Sequence, residues 1–146
     1  MSKSFSKVSQ IARLLAKDAK PALLSTIGLN GAPKSRYIGT FKIRDTGEMF
    51  FISPSKSRKI QEIQRNSQTQ VIFSSQDCKR VLTLSGGASI VEDLVLRRRL
   101  YEETKPLKIY PIFNDYFGVI HFMPVYAEYL DINSSDDPVV INMMQD

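Results

Sequence analysis

Residues 50–59 read Phe50-Phe51-Ile52-Ser53-Pro54-Ser55-Lys56-Ser57-Arg58-Lys59, an apolar run that gives way to hydroxyls and then to cations. With Met49 the apolar part is four residues long and does not alternate, the pattern of a fully buried strand. The part that follows is helical: Ile60 and Ile63 stand three apart within residues 57–66, and the other positions are polar. A buried strand thus runs out through three serines into the first turn of a helix. Lys56, Arg58 and Lys59 stand there against the helix dipole, which favours acids at that end. A bound phosphate would reconcile them, because free N–H groups, hydroxyls and cations would meet on one dianion. The ordinary alternative is a serine-capped helix with a solvated basic face, which costs only about a few tenths of a kcal/mol.

Upstream, Val8, Ile11, Ala12 and Leu15 mark an amphipathic helix that ends before Pro21. Residues 22–27 read as a strand, Asn30-Gly31 as a hairpin turn, residues 35–43 as the returning strand, and Asp45-Thr46-Gly47 as a second tight turn. Downstream, residues 70–75 and 81–91 are strands, and Gly86-Gly87 predicts a bulge or sharp bend in the second. Residues 93–104 read as a helix carrying Arg97-Arg98-Arg99, and Pro106 and Pro111 break the chain after it. Residues 118–123 and 126–132 are two closing strands. About seven strands, mostly joined by hairpins, with two or three helices, predict a mainly β, antiparallel barrel with helices packed outside it. The barrel is expected to occupy residues 1–132 as a single domain, followed by an acidic tail over 133–146.

The 146 residues are enough for one domain that needs no disulfide or metal staple. No apolar run has membrane-spanning length, and residues 1–7 lack the apolar core of a secretory signal, so a cytoplasmic protein is expected. A single cysteine and a single histidine argue against a disulfide framework, a cysteine-built metal site and a Ser-His-Asp triad. The net charge of +5 conceals an asymmetry: residues 1–130 hold all 20 Lys and Arg with 11 acids, while the last 16 residues hold four acids and no base. Such a body attracts anions, whether nucleic acid, a phosphorylated cofactor or its own tail.

Arg36 strengthens the cofactor reading. It lies in a half-buried strand context between Ser35 and Tyr37, where an arginine needs an anionic partner. A salt bridge to an acid of the body is the alternative. Gly39 and Thr40 would allow a flat ligand close to the backbone.

Arg36-Tyr37-Ile38-Gly39, then Phe51-Ile52-Ser53, then Ser57-Arg58-Lys59 at a helix start, resembles the FMN-binding split barrels. These comprise pyridoxamine 5′-phosphate oxidase and its smaller relatives, the general stress protein group. Leu82-Thr83-Leu84-Ser85-Gly86 and Ala127-Glu128-Tyr129-Leu130-Asp131 resemble later strands of that smaller group, and the resemblance spans residues 8–132. It implies that Arg36, Ser57, Arg58 and Lys59 grip the FMN phosphate. It places Ile52, Ser53 and the backbone of Tyr37, Ile38 and Gly39 along the ribityl chain and ring. It also implies a homodimer with flavin at the interface, FAD or a deazaflavin being the alternative cofactors.

Two departures matter. Residues 131–146 lack the Arg-x-His element with which the oxidase binds its vitamer, and Leu130 stands where a tryptophan is common. Pyridoxamine-phosphate oxidation is therefore not expected. The resemblance implies a flavin-dependent oxidoreductase of unknown substrate or a non-catalytic, redox-sensing flavin protein, with no catalytic residue assigned. His121 could donate a proton near a flavin but reads better as structural. Cys78, beside Lys79 and Arg80, could be redox-active or simply an exposed thiol. Tyr101, Tyr110, Tyr116 and Phe117, following three arginines, could stack nucleic-acid bases. They read better as core or interface lining, and no nucleic-acid partner is expected.

Overall fold

Two residues, Gly39 and Thr40, separate strands that lie at opposite ends of the sheet, and this decides its shape. β2 (Pro33–Ile38) pairs with β1 (Ala22–Ile27), whereas β3 (Phe41–Ile43) pairs with β4 (Met49–Pro54). With β5 (Gln68–Ser74), β6 (Arg80–Ile90), β7 (Phe117–Asp131) and β8 (Val139–Asn142), the order is β2-β1-β5-β6-β7-β4-β3, and β8 lies beside β7. Every pairing is antiparallel. Laid flat at roughly 4.8 Å per strand, the sheet would hold β2 and β3 about 29 Å apart. The link between them spans at most about 11 Å. The sheet must therefore curl until its ends approach, and the Ile52 N–H donates to the Thr40 carbonyl at 3.0 Å, which carries the β3–β4 ladder one residue into the link. This is the mainly β split barrel that the sequence predicts. The structure is a computed structural model that describes residues 3–17, 20–104, 110–134 and 137–144.

β4 is apolar from Met49 to Ile52 because it is buried on both faces. Met49 and Phe51 point into the barrel, where they join Leu24, Phe73, Leu82, Leu84 and Phe122. Phe50 and Ile52 point outward into a second cluster with Val119 and Phe117, covered by Leu100 and Tyr101 of α3 (Leu94–Thr104). Full burial of one such side chain is worth roughly 1.5–3 kcal/mol. The helices do not all lie outside, as the pattern had suggested. Val8, Ala12 and Leu15 of α1 (Lys3–Leu15), and Ile60 and Ile63 of α2 (Arg58–Arg65), belong to the inner cluster.

The predicted bend at Gly86 is present. The β6–β7 register shifts between Ser85 and Gly86, and a Cβ on Gly86 would stand 2.1 Å from the Met123 carbonyl oxygen. Three boundaries differ from expectation. The run 35–43 is two strands broken at the seam. The two closing strands are one, β7, which continues through Pro124. The tail is also not entirely separate from the barrel: β8 pairs with Tyr126–Tyr129, and Met143 is 2% exposed within the inner cluster. Among the described residues, no helix is long and apolar enough to cross a membrane.

Candidate functional site

The strand-to-helix turn 53–59 is held from two sides. The Ser55 N–H donates to the Tyr116 carbonyl at 2.9 Å, and the Ser57 N–H to the Pro54 carbonyl at 3.0 Å. Gly118 faces Ser53 across β4 and β7, so close that a Cβ there would lie 2.5 Å from the Ser53 carbonyl oxygen. Within the turn, Lys59 Nζ donates to Ser53 Oγ at 2.8 Å, and Ser53 Oγ shares a hydrogen bond of 2.9 Å with Ser57 Oγ. Ser57 is the N-cap of α2, yet its hydroxyl makes no cap bond to the helix. The N–H groups of the first turn, which an α-helix leaves without internal partners, are therefore not served by it. Burial, then the Arg36 guanidinium, lowers the Lys59 ammonium below the usual lysine range, and Glu62 partly offsets this. Lys56 and Arg58 are exposed.

Arg36 reaches the same region from β2, but it already has an anion. Its Nη2 donates to Glu62 Oε1 at 2.8 Å, and its Nη1 donates to Thr26 Oγ1 at 2.8 Å and to the Leu24 carbonyl at 3.3 Å. The Thr26 hydroxyl in turn donates to Glu62 Oε1 at 2.8 Å. The Glu62 side chain is 1% exposed and that of Arg36 23%. The alternative weighed for Arg36, a salt bridge within the body, is thus realised. Glu62 and Thr26 were not anticipated. The available signal was the spacing of Lys59 and Glu62, three apart on one helix face.

The other expected site residues divide. Gly39 lies at the seam with open space where a Cβ would be, so the backbone there can be approached. Tyr37 projects outward and is 75% exposed. Ile38 and Ile52 are buried in the inner and outer clusters, so only their backbones could line a ligand. Ser53, Ser57 and Lys59 are brought into direct contact, and electrostatic coupling links Lys59 to Arg36.

The chain matches the family described as pyridoxamine 5′-phosphate oxidase like over residues 6–144. It belongs to that family. The family is the one whose resemblance the sequence carries at residues 36–39 and 51–59. General stress protein 26 from Bacillus anthracis str. Sterne is similar to the chain with 21% identity and a TM-score of 0.71, covering 92% of this chain and 98% of that one. A pyridoxamine 5′-phosphate oxidase-related, FMN binding protein from Nostoc punctiforme has 16% identity and a TM-score of 0.70, covering 90% and 84%. A heme binding protein from Mycobacterium smegmatis has 11% identity and a TM-score of 0.72, covering 99% of this chain and 60% of that one. At these identities the likeness speaks for the fold. No curated protein matches the chain.

In this pyridoxamine 5′-phosphate oxidase like chain the remaining candidates have local partners. His121 Nε2 lies 2.8 Å from Glu48 Oε2, and its ring centroid is 5.2 Å from that of Phe50. Cys78 is exposed in the β5–β6 turn. The aromatic group behind α3 packs on itself: Tyr101 and Tyr110 each meet Phe117 with centroids 5.5 and 5.3 Å apart. Burial, with Tyr116 beside it, pushes the Tyr110 hydroxyl up to about 12. Arg97 and Arg98 stand over Phe113 at 5.5 and 5.2 Å, so these cations and rings face each other.

Proposed function

We propose that the chain binds FMN by its phosphate at the start of α2 and serves as a flavin-dependent oxidoreductase. The carrying observation is the contact chain Lys59–Ser53–Ser57 at a helix start whose N-cap hydroxyl is turned away from the helix. Two hydroxyls, a half-buried cation and unserved N–H groups fit a phosphate monoester, and exposed Arg58 can close over it. Glu62 opposes an anion here, and Arg36, paired with it at 2.8 Å, offsets its charge beside Lys59. The Gly39 backbone at the seam offers an approach for the ribityl chain, with Tyr37, Ile38 and Ile52 beside it. Family membership and the FMN-binding relative from Nostoc punctiforme support flavin over other phosphate esters. FMN, when bound, supplies hydride or electron transfer, and the protein's share is binding and orientation.

We also propose a homodimer. The outward face of β2, β1 and β5 carries Tyr37, Leu23 and Ile72, whereas Leu24 and Val71 of the opposite face join the α1 and α2 side chains in the inner cluster. On it lies an open cavity of about 450 Å³ lined by Ser25, Pro33, Gln70, Ser85 and Val125. A second copy could cover this face and complete the ring side of the flavin site.

A redox-sensing flavin carrier, with the same cradle and no assigned catalytic residue, is the second reading. Repeated bleaching of the bound flavin by NADH or NADPH, with recovery in air, supports the enzyme and contradicts the carrier. The visible spectrum of the purified protein tests both. Flavin bands, with FMN released on denaturation, are expected. A heme spectrum, or a colourless protein that FMN does not reconstitute, contradicts the proposal.

A further inference from the structure

The start of β7 is gripped along both edges, and one of the grips comes from α3. On the β4 side the Tyr116 carbonyl accepts the Ser55 N–H at 2.9 Å, and Gly118 faces Ser53. On the other side the β6 ladder ends at Ile90 and Ile120, and one residue on the Val91 N–H donates to the Val119 carbonyl at 2.9 Å. Backbone groups two residues apart in a strand point the same way, so the Phe117 carbonyl faces this side after β6 has ended. Phe117 is 1% exposed, and a carbonyl there needs a donor. Arg97 supplies it: its Nη2 lies 2.5 Å from the Phe117 carbonyl oxygen and 3.5 Å from that of Asn114. Asn114 carries the link on, because its Oδ1 accepts the Tyr116 N–H at 2.9 Å and its carbonyl the Phe117 N–H at 3.1 Å. Behind the turn lies an open cavity of about 270 Å³ lined by Ser55, Gln64, Arg97 and Gly118. Packing therefore does not back the turn on that side, and the polar link from α3 does.

We propose that Arg97 is a positioning residue of the phosphate cradle, which fixes residues 114–117 and through the Tyr116 carbonyl fixes Ser55 in the turn 53–59. The proposal rests on the phosphate reading given above. Arg97 does not touch the ligand. What it supplies is a charged donor to a backbone carbonyl, which a lysine can also supply because one bond carries the contact. Its loss loosens the turn, and so the phosphate, more than the ring.

The test is titration of FMN and riboflavin into the wild type, Arg97→Met, Arg97→Lys and Arg99→Met, with melting temperature as the folding control. Methionine keeps an apolar stem against Phe113, over which the Arg97 guanidinium stands. Arg99, exposed two positions further on, loses the same charge. Arg97→Met is expected to weaken FMN binding about tenfold and riboflavin binding little, while Arg97→Lys stays within about threefold of the wild type and Arg99→Met is unchanged. Asn114→Ala cuts the next link in an exposed loop, so it is expected to fold and to lower the preference for FMN in the same way. An Arg97→Met protein that keeps the wild-type preference for FMN overturns the proposal. Equal losses for FMN and riboflavin, no rescue by lysine, or an equal effect of Arg99→Met overturn it too, because Arg97 would then act on folding or through charge at a distance. Should Arg97→Met fail to fold, a wild-type preference in Asn114→Ala overturns it. A wild type that binds FMN no better than riboflavin removes the phosphate reading itself, whatever the variants do.

Discussion

Arg36 Nη2 lies 2.8 Å from Glu62 Oε1, so the cation placed by the sequence in a phosphate site is bound to a carboxylate of its own chain. This changes what an alanine at position 36 would report. Arg36→Ala strips a buried carboxylate of its partner, and breaking such a pair costs about 3–5 kcal/mol. A fall in melting temperature of roughly 10 °C or more is expected by calorimetry. A melting temperature within about 2 °C of the wild type would contradict the pairing.

Lys59 offers the cleaner test of the cradle, because its side chain contacts a neutral hydroxyl. A charge-assisted bond to phosphate is worth about 1.5–3 kcal/mol, so Lys59→Ala should weaken FMN binding about tenfold to a hundredfold. Riboflavin binding and melting temperature should change little. Lys3→Ala, at the exposed start of α1, serves as the charge control. Equal losses for FMN and riboflavin would mean that Lys59 acts on folding or on the ring.

The same lysine predicts a pH dependence. Burial and Arg36 lower its pKa in the free protein. A phosphate beside it raises that pKa again, so binding takes up a proton between the two values. FMN affinity should therefore fall as pH rises through the lowered Lys59 pKa, earlier than for an ordinary lysine. Titrations at several alkaline pH values, corrected by riboflavin measured in parallel, should show this slope in the wild type and not in Lys59→Ala. For stability the sign is reversed: the unfolded chain binds more protons in that window, so relief of the buried charge favours the fold as pH rises.

Gly118 joins fold to site. A Cβ there meets the Ser53 carbonyl oxygen at 2.5 Å and Ser55 Cα at 2.8 Å, both backbone atoms of the turn that carries the cradle. Gly118→Ala should displace that turn and lower FMN affinity more than Gly87→Ala, where an added Cβ meets nothing within 4 Å. Equal affinities in the two variants would show that the turn does not hold the ligand.

Much of the barrel is legible in the residues. The unbroken apolar run Met49–Ile52 signals a strand covered on both sides, and Gly86-Gly87 signals the bend. The seam is not legible, because Gly39 reads equally as a bend within one strand and Phe41-Lys42-Ile43 resumes an apolar-polar pattern after it, so nothing local marks a crossing between the sheet's ends. β8 was hidden by its acidic surroundings. The turn 53–59 was readable as a cradle because serines and cations cluster at a helix start. Glu62 was not, because a charged residue in a short polar helix looks solvated until Thr26 and Arg36 are folded against it.

The boundary read from sequence can also be tested. A chain ending at residue 132 lacks β8 and Met143, leaving the β7 edge at Tyr126–Tyr129 unpaired and a buried position empty. Loss of a large buried side chain alone costs about 2–5 kcal/mol. The truncated protein should melt well below the full chain, or fail to fold. An unchanged melting temperature would show that residues 133–146 add nothing to the domain.

The central claim is that the start of α2 holds a flavin by its phosphate. Calorimetric titration of the wild-type protein with FMN and with riboflavin, which differ only in that phosphate, tests it most directly. The account predicts that FMN binds at least about tenfold more tightly and that added inorganic phosphate competes with FMN but not with riboflavin. Equal affinities, with no competition by phosphate, would contradict it.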